Sequence, residues 1–278
     1  MKRLLDEGKL ILIAIPVLIW TLLPIYHLFV LSISNQESML AGKLWPDQPT
    51  LQNFQIVFKQ QHYYLTNFWL QLFNSFLIAI TTGLLTLFIA TCAAFAISRL
   101  KAPGGRSIMN FALATYLIPA AFLAIPMYKA MGTFGLLNTR TALILAMVAL
   151  ASPYAIWVLK QASDKLPKEL DEAAIMDGAT SLQLFRMVYL PLMKPSMVVI
   201  GIYALLLAWN EYLYAFLLLS SEKELPLAVG LGLFLSADDA PWNLLMTAGL
   251  IYAIPPAVIY YGFRNNMVSG LTAGAVKS

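Results

Sequence analysis

Residues 70–97 read LQLFNSFLIAITTGLLTLFIATCAAFAI, with no Asp, Glu, Lys or Arg among them. An α-helix needs ~20 mainly apolar residues to cross a hydrocarbon core ~30 Å thick. A membrane-crossing strand would instead show segments of ~10 residues alternating in polarity. This run is continuous, so it predicts a spanning helix, which satisfies its own backbone hydrogen bonds where lipid offers none. Five further stretches, roughly 10–32, 107–128, 140–160, 196–219 and 243–263, share that character. The expected fold class is all-α integral membrane, with six transmembrane helices forming a single domain over 1–278.

Composition agrees. Of the 278 residues 60% are hydrophobic and only 12% charged, with a mean hydropathy of +0.73. Soluble domains carry about 25% charged residues, twice this share, so a soluble globular, disordered or fibrous chain is excluded. The single cysteine, Cys92, allows no internal disulfide. Cys92 and the two histidines, His27 and His62, do not make a zinc site. The opening MKRLLDEGK resembles the start of a signal peptide. Its apolar run is long and lacks an A-x-A cleavage site, so it reads as an uncleaved first span.

Orientation follows from Lys and Arg, which concentrate in cytoplasmic loops. With the amino terminus inside, thirteen of the 18 fall on the inner side, among them Arg99, Lys101, Arg106, Lys160, Lys165 and Lys168. The remaining five are Lys43, Lys59, Lys129, Arg140 and Lys223. Both termini are therefore expected to be cytoplasmic, which six spans allow. The outer loop at 33–69 is polar and too small for a core of its own. The inner loop at 99–106, RLKAPGGR, is a basic turn.

The inner loop at 161–195, QASDKLPKELDEAAIMDGATSLQLFRMVYLPLMKP, is soluble and patterned. Pro167 suits a first helical position. Glu169, Asp171 and Glu172 follow in the early turns, where the helix dipole favours anions. Gly178 suits a C-terminal cap, which gives one helix over about 167–177. Leu170, Ala173, Ala174 and Asp177 share its face, thin enough for another surface to come close. Thr180 with Gln183 fits a capping box opening a second helix. Leu182, Phe185 and Tyr189 are expected on one face of it, and Pro191 and Pro195 to end it and turn the chain back to the membrane. The pattern alone leaves two readings, a loop folded back on its own bundle and a docking knob for a cytoplasmic partner. Too few basic residues share a face for nucleic acid.

Within that loop the run EAAIMDGAT…F…VYLP resembles the EAA signature of ABC-importer permeases. Glu172, Ala173, Ala174, Asp177, Gly178, Ala179, Phe185, Leu190 and Pro191 stand at matching places, and Val188 departs from the commoner isoleucine. AWNEYLYAFLLL, Ala208 to Leu219, resembles the WNE segment of carbohydrate-importer permeases. VSGLTAGAVKS, Val268 to Ser278, resembles the tail of one of the two permease types in maltose and multiple-sugar importers. The resemblance covers nearly the whole chain. It implies a type I ABC importer permease for a sugar or sugar derivative in a bacterial or archaeal inner membrane. It further implies a second, non-identical permease, two ATPase subunits docked on the 161–195 loop, and an extracytoplasmic solute-binding protein. The tail at 264–278 is either a frayed end or, by that resemblance, reaches the ATPases.

The chain lacks the G-x-x-x-x-G-K-[ST] loop that wraps phosphates, so ATP and Mg would be bound by separate subunits and no catalytic residue is assigned. Glu211 is the conspicuous charge in the apolar runs, and an ionised carboxylate at mid-bilayer costs ~2.5–3.5 kcal/mol on insertion scales. With Trp209, Asn210 and Tyr212 it offers a stacking surface and hydrogen-bonding groups that suit a sugar; the alternative is a structural role near an interface. Asn74, beside Ser75, reads either as a helix-to-helix hydrogen bond or as a pathway residue. Pro119, Pro126, Pro153, Pro255 and Pro256 read as kinks. One rival is a stand-alone secondary transporter, for which no internal repeat is visible. Another is an intramembrane enzyme, for which no nucleophile–base set or HExxH cluster is present.

Overall fold

A computed structural model describes the backbone of residues 2–236 and 240–272, with side chains except those of 2–12, 40, 236 and 265–272. The last six residues of the expected tail lie outside it. The regular elements among the described residues are all helices, with no strand. The helices are α1 (Lys2–Ser32), α2 (Gln36–Leu40), α3 (Gln52–Phe58), α4 (Phe68–Ser98), α5 (Gly105–Ala114), α6 (Ala120–Thr133) and α7 (Arg140–Asp164). Then follow α8 (Glu169–Met176), α9 (Ser181–Gln183), α10 (Leu190–Trp209), α11 (Leu213–Leu218), α12 (Leu227–Leu233) and α13 (Trp242–Thr272). Among the described residues five helices are long and apolar enough to cross a membrane, and a sixth span exists if α5 and α6 count together.

Two of the expected continuous spans are broken. α5 and α6 meet at a bend of 109°. The cause is Pro119: the residue before a proline is pushed out of the helical region, and Ile118 is extended at φ −91°, ψ 120°. Pro119 is thus a break and not a kink. The 196–219 run also divides, because α10 stops at Trp209 and α11 starts at Leu213. An apolar run carries no sign of such a stop.

The chain forms two compact units. The first holds residues 2–68 with 230–236 and 240–255. Asn53 organises it, donating from Nδ2 to the carbonyls of Ser32 (2.9 Å) and Ser34 (2.8 Å). Asn53 Oδ1 accepts from Asn243 Nδ2 at 2.9 Å. His62, Tyr64 and Phe234 stack nearby. Most of the apolar side chains of α1 from Ile13 to Ile25 are bare, as befits a helix facing lipid.

The second unit holds residues 69–229 and 256–272, with α7 packed against α10. α7 buries Ala142, Ala146, Ala151 and Ala155, small residues that let helix backbones approach where lipid gives no hydrophobic drive between helices. α4 and α10 use the same device. A Cβ at Gly83 would lie 3.4 Å from the Gly201 carbonyl oxygen and from Leu205 Cβ. One core cluster joins Ala90, Ala94 and Phe95 of α4, Leu159 of α7, and Tyr189, Met193 and Ile200.

Candidate functional site

The 165–191 segment forms a two-helix corner whose geometry follows from its caps. Glu169, Asp171 and Glu172 occupy the first turn of α8. At the other end Gly178 has φ +84°, the left-handed conformation only glycine adopts freely. Gly178 N–H donates to the Ile175 carbonyl and Ala179 N–H to that of Ala174, both at 2.9 Å. That pair of bonds is a Schellman cap. Thr180 and Gln183 then close the expected capping box, each side chain serving the other's backbone N–H.

The second helix does not end at Pro191 and Pro195. It runs from Ser181 to Trp209 as one rod. A π-turn at Leu184–Tyr189 makes this possible: Leu190 N–H reaches back to Phe185, five residues earlier. The widened turn relieves the clash and missing donor that a proline brings to a helix interior. The extra residue also rotates the faces. Leu182 is exposed, whereas Leu184 and Tyr189 are buried and Phe185 partly so. The expected face of Leu182, Phe185 and Tyr189 therefore splits.

Half of the corner is covered by its own unit. Phe185 and Tyr189 pack edge-on against Phe95, with ring centres 5.0 and 4.9 Å away. Ala174, Val188 and Leu190 join the same cluster. The other half is bare: Glu172, Ala173, Asp177, Gly178 and Pro191 are exposed. So are Leu170, Ile175 and Leu182, with Met176 83% and Met187 72% exposed. The packing-loop and docking-knob readings each describe one side of the same corner.

Sequence reasoning missed the residue that ties the corner down. Arg99, at the end of α4, holds Asp171 of α8 at 2.8 Å, with side chains only 5% and 16% exposed. Its Nη2 also donates to the carbonyls of Ser163 (3.1 Å) and Leu166 (3.2 Å). Ser98 and Ser163 hydroxyls meet at 2.5 Å beside it. In the sequence Arg99 counts only as one more inner cation; no local pattern pairs it with a carboxylate 72 positions on.

A second feature is a cavity of about 420 Å³ at the α5–α6 break, lined among others by Tyr116, Pro119, Met147, Pro153, Tyr203 and Glu211. Irregular backbone at membrane depth is tolerated where it lines such a space. Tyr116 OH donates to the Leu150 carbonyl at 2.7 Å and lies 3.4 Å from Tyr203 OH. Tyr154 and Tyr203 rings are 4.8 Å apart. Glu211 sits at the α10–α11 break, where its Oε1 accepts the Tyr214 N–H at 2.7 Å. Tyr214 OH in turn donates to the Ala120 carbonyl at 2.7 Å.

The other suggested pathway residues are not brought together with Glu211. Trp209 is buried, edge-on to Phe76 at 4.9 Å. Asn210 Nδ2 donates to the Leu206 carbonyl at 2.9 Å, and Tyr212 is exposed with its ring 5.9 Å from Phe216. Asn74 is fully buried, donating to the Lys223 (2.8 Å) and Leu225 (3.0 Å) carbonyls. It accepts from Arg140 at 3.1 Å, and Arg140 forks onto Glu224 at 2.6 Å. Asn74→Leu would leave those carbonyls without their donor, at a cost of about 2 kcal/mol. A melting temperature lowered by ~4–8 °C for the purified chain is the expected result; an unchanged one would show that the cross-link is dispensable.

Residues 87–272 match the family described as binding-protein-dependent transport system inner membrane component. The chain is 31% identical to the inner membrane ABC transporter permease protein YcjP of Escherichia coli, over 94% of this chain and 92% of that one. It is 32% identical to the trehalose/maltose transport system permease protein MalG of Thermococcus litoralis, over 99% of both. It is also 32% identical to the trehalose transport system permease protein SugB of Mycobacterium tuberculosis, over 93% of both. The fold is that of a chain in the crystal structure of a bacterial ABC transporter involved in the import of the acidic polysaccharide alginate. The TM-score is 0.78 at 24% identity, covering 95% of this chain and 96% of that one. Helical architecture, capped corner and these matches agree: the chain belongs to the binding-protein-dependent transport system inner membrane component family, as a subunit with the type I ABC importer permease fold and not a transporter that works alone.

Proposed function

We propose that this chain is one permease subunit of an ATP-driven importer for a sugar or sugar derivative, with both termini cytoplasmic. The observation that carries the reading is the corner at 165–191. It is rigidly capped, tied to the spans through Arg99–Asp171, and bare on the Ile175, Met176 and Met187 side. A lever needs that combination, with one face fixed to the moving bundle and one face open to the motor. ATP and Mg would be bound by two separate ATPases seated on this face and its counterpart in a second, non-identical permease. Alternating access then needs two packings of the spans, biased by nucleotide state. The trehalose and maltose named for the relatives support the solute class. The cavity at the α5–α6 break supports it too, since tyrosine faces and one carboxylate suit a polyol.

The direct test is ATP-driven uptake of labelled maltose and trehalose by the complex reconstituted with its partner subunits. Uptake that requires both ATP and the binding protein is expected. Uptake that persists without ATP overturns the proposal.

Glu211→Gln separates the two roles of that residue. Gln keeps an acceptor for the Tyr214 N–H, so the start of α11 is preserved, while the charge in the cavity is lost. The expected result is a KM for uptake raised ~10-fold, the worth of one charged hydrogen bond, with subunit association unchanged. Unaltered kinetics would leave Glu211 with its capping role alone.

A further inference from the structure

A cleft of about 520 Å³ opens beside the corner, lined among others by Arg99, Lys101, Arg106, Lys160, Asp164 and Lys168. Five of these side chains are cationic and one is acidic. Two cations are committed: Arg99 to Asp171, and Lys160 to Asp164. Lys101, Arg106 and Lys168 form no ion pair with any described residue. Arg99 contributes a further vacancy, because its buried Nε donor has no hydrogen-bond partner among the described residues. A buried unmet donor is costly. Nε is itself enclosed, so an acceptor oxygen in this cleft would meet it only with a shift of the Arg99 side chain.

Two more observations bear on what that acceptor is. The cleft lies where three spans end, at Ser98 of α4, Gly105 of α5 and Asp164 of α7. Where helices cross a bilayer, such ends lie at the headgroup level. Lys101 is held with φ +50°, a left-handed conformation unusual for a residue with a side chain. Its turn is pinned by the Ala102 N–H bond to the Ala96 carbonyl at 3.0 Å. A glycine would fit that turn without strain, yet the position carries a cation on the cleft wall.

The geometry points to a phosphate-binding site, which takes the phosphate of an anionic lipid headgroup. Lys101, Arg106 and Lys168 supply the charge. A free phosphate shares this chemistry, and only the position at the span ends favours the lipid. The site adjoins the corner through Arg99 and Lys168, so its occupancy would steady the Arg99–Asp171 tie. The inference rests on the spans crossing a bilayer and is independent of the solute.

Native mass spectrometry of the purified complex tests it, with phosphatidylglycerol, phosphatidylcholine and inorganic phosphate titrated separately. Retention of phosphatidylglycerol above phosphatidylcholine is expected. The triple variant Lys101→Gln, Arg106→Gln, Lys168→Gln should lose ~100-fold in affinity for phosphatidylglycerol. The charge-preserving triple Lys101→Arg, Arg106→Lys, Lys168→Arg should keep most of it, which guards against a folding defect. Inorganic phosphate that displaces the lipid and binds as tightly itself would overturn the lipid assignment. Equal phosphatidylglycerol retention by the wild type and the glutamine triple would overturn the site altogether.

Discussion

Asp171→Asn is expected to lower ATP-driven uptake at least tenfold while the chain inserts at normal abundance. Arg99 and Asp171 are 2.8 Å apart, with side chains 5% and 16% exposed. Removing one member of a buried pair costs ~3–5 kcal/mol, since the remaining charge is left uncompensated. Arg99 keeps its bonds to the Ser163 and Leu166 carbonyls, which places the loss toward the lower end. The effect falls on the corner and not on the spans. α8 is held to its unit by this pair and by the Ala174 contact, besides its packing on the Leu184–Tyr189 turn. The ATPase is therefore expected to co-purify while hydrolysis no longer drives uptake. Arg99→Lys, which keeps charge but loses the forked geometry, should be intermediate. Normal uptake by Asp171→Asn would show that the tie transmits nothing.

Gly178→Val is expected to weaken ATPase association about tenfold and to reduce uptake with it. At φ +84° a residue with a Cβ pays ~1–2 kcal/mol, and a β-branched one more. Apart from its own residue and its two chain neighbours, no atom lies within 4 Å of the position a Cβ would take. The penalty is therefore conformational, relieved only by opening the Schellman turn and swinging α8 away from α9. Gly178→Asn, which tolerates the left-handed region, should retain most association. A Gly178→Val complex that co-purifies and transports like wild type would refute the docking role of the corner.

Much of the architecture was readable along the chain because it is dictated by local chemistry. Apolar length sets the spans, and the caps at Gly178 and Thr180 were legible because each depends on residues within a few positions. The breaks were less so. Pro119 announces a disturbance, but whether a proline bends a helix or ends it depends on the surroundings. The stop after Trp209 has no apolar signature, since Leu213–Leu218 continues the same composition. The π-turn was invisible for a similar reason: LFRMVY is a sequence any α-helix would accept.

The pathway residues show the same limit. Trp209, Asn210, Glu211 and Tyr212 are adjacent in the chain, yet a helix ends among them and points them apart. Asn74 left two readings open, and its partners at Arg140, Lys223 and Leu225 are too remote in sequence for any local pattern to name.

The amino-acid sequence by itself determined that this chain spans a membrane and carries a capped helical corner. Both follow from free energies that act residue by residue, the transfer of apolar side chains into lipid and the satisfaction of helix-end N–H and C=O groups by near neighbours. Only the tertiary structure decided which side of the corner is covered, that Arg99 anchors it, and that Tyr116, Tyr203 and Glu211 share a cavity. Those outcomes depend on which distant groups meet when helices pack, and pairwise burial over scores of residues leaves no periodic trace in the chain.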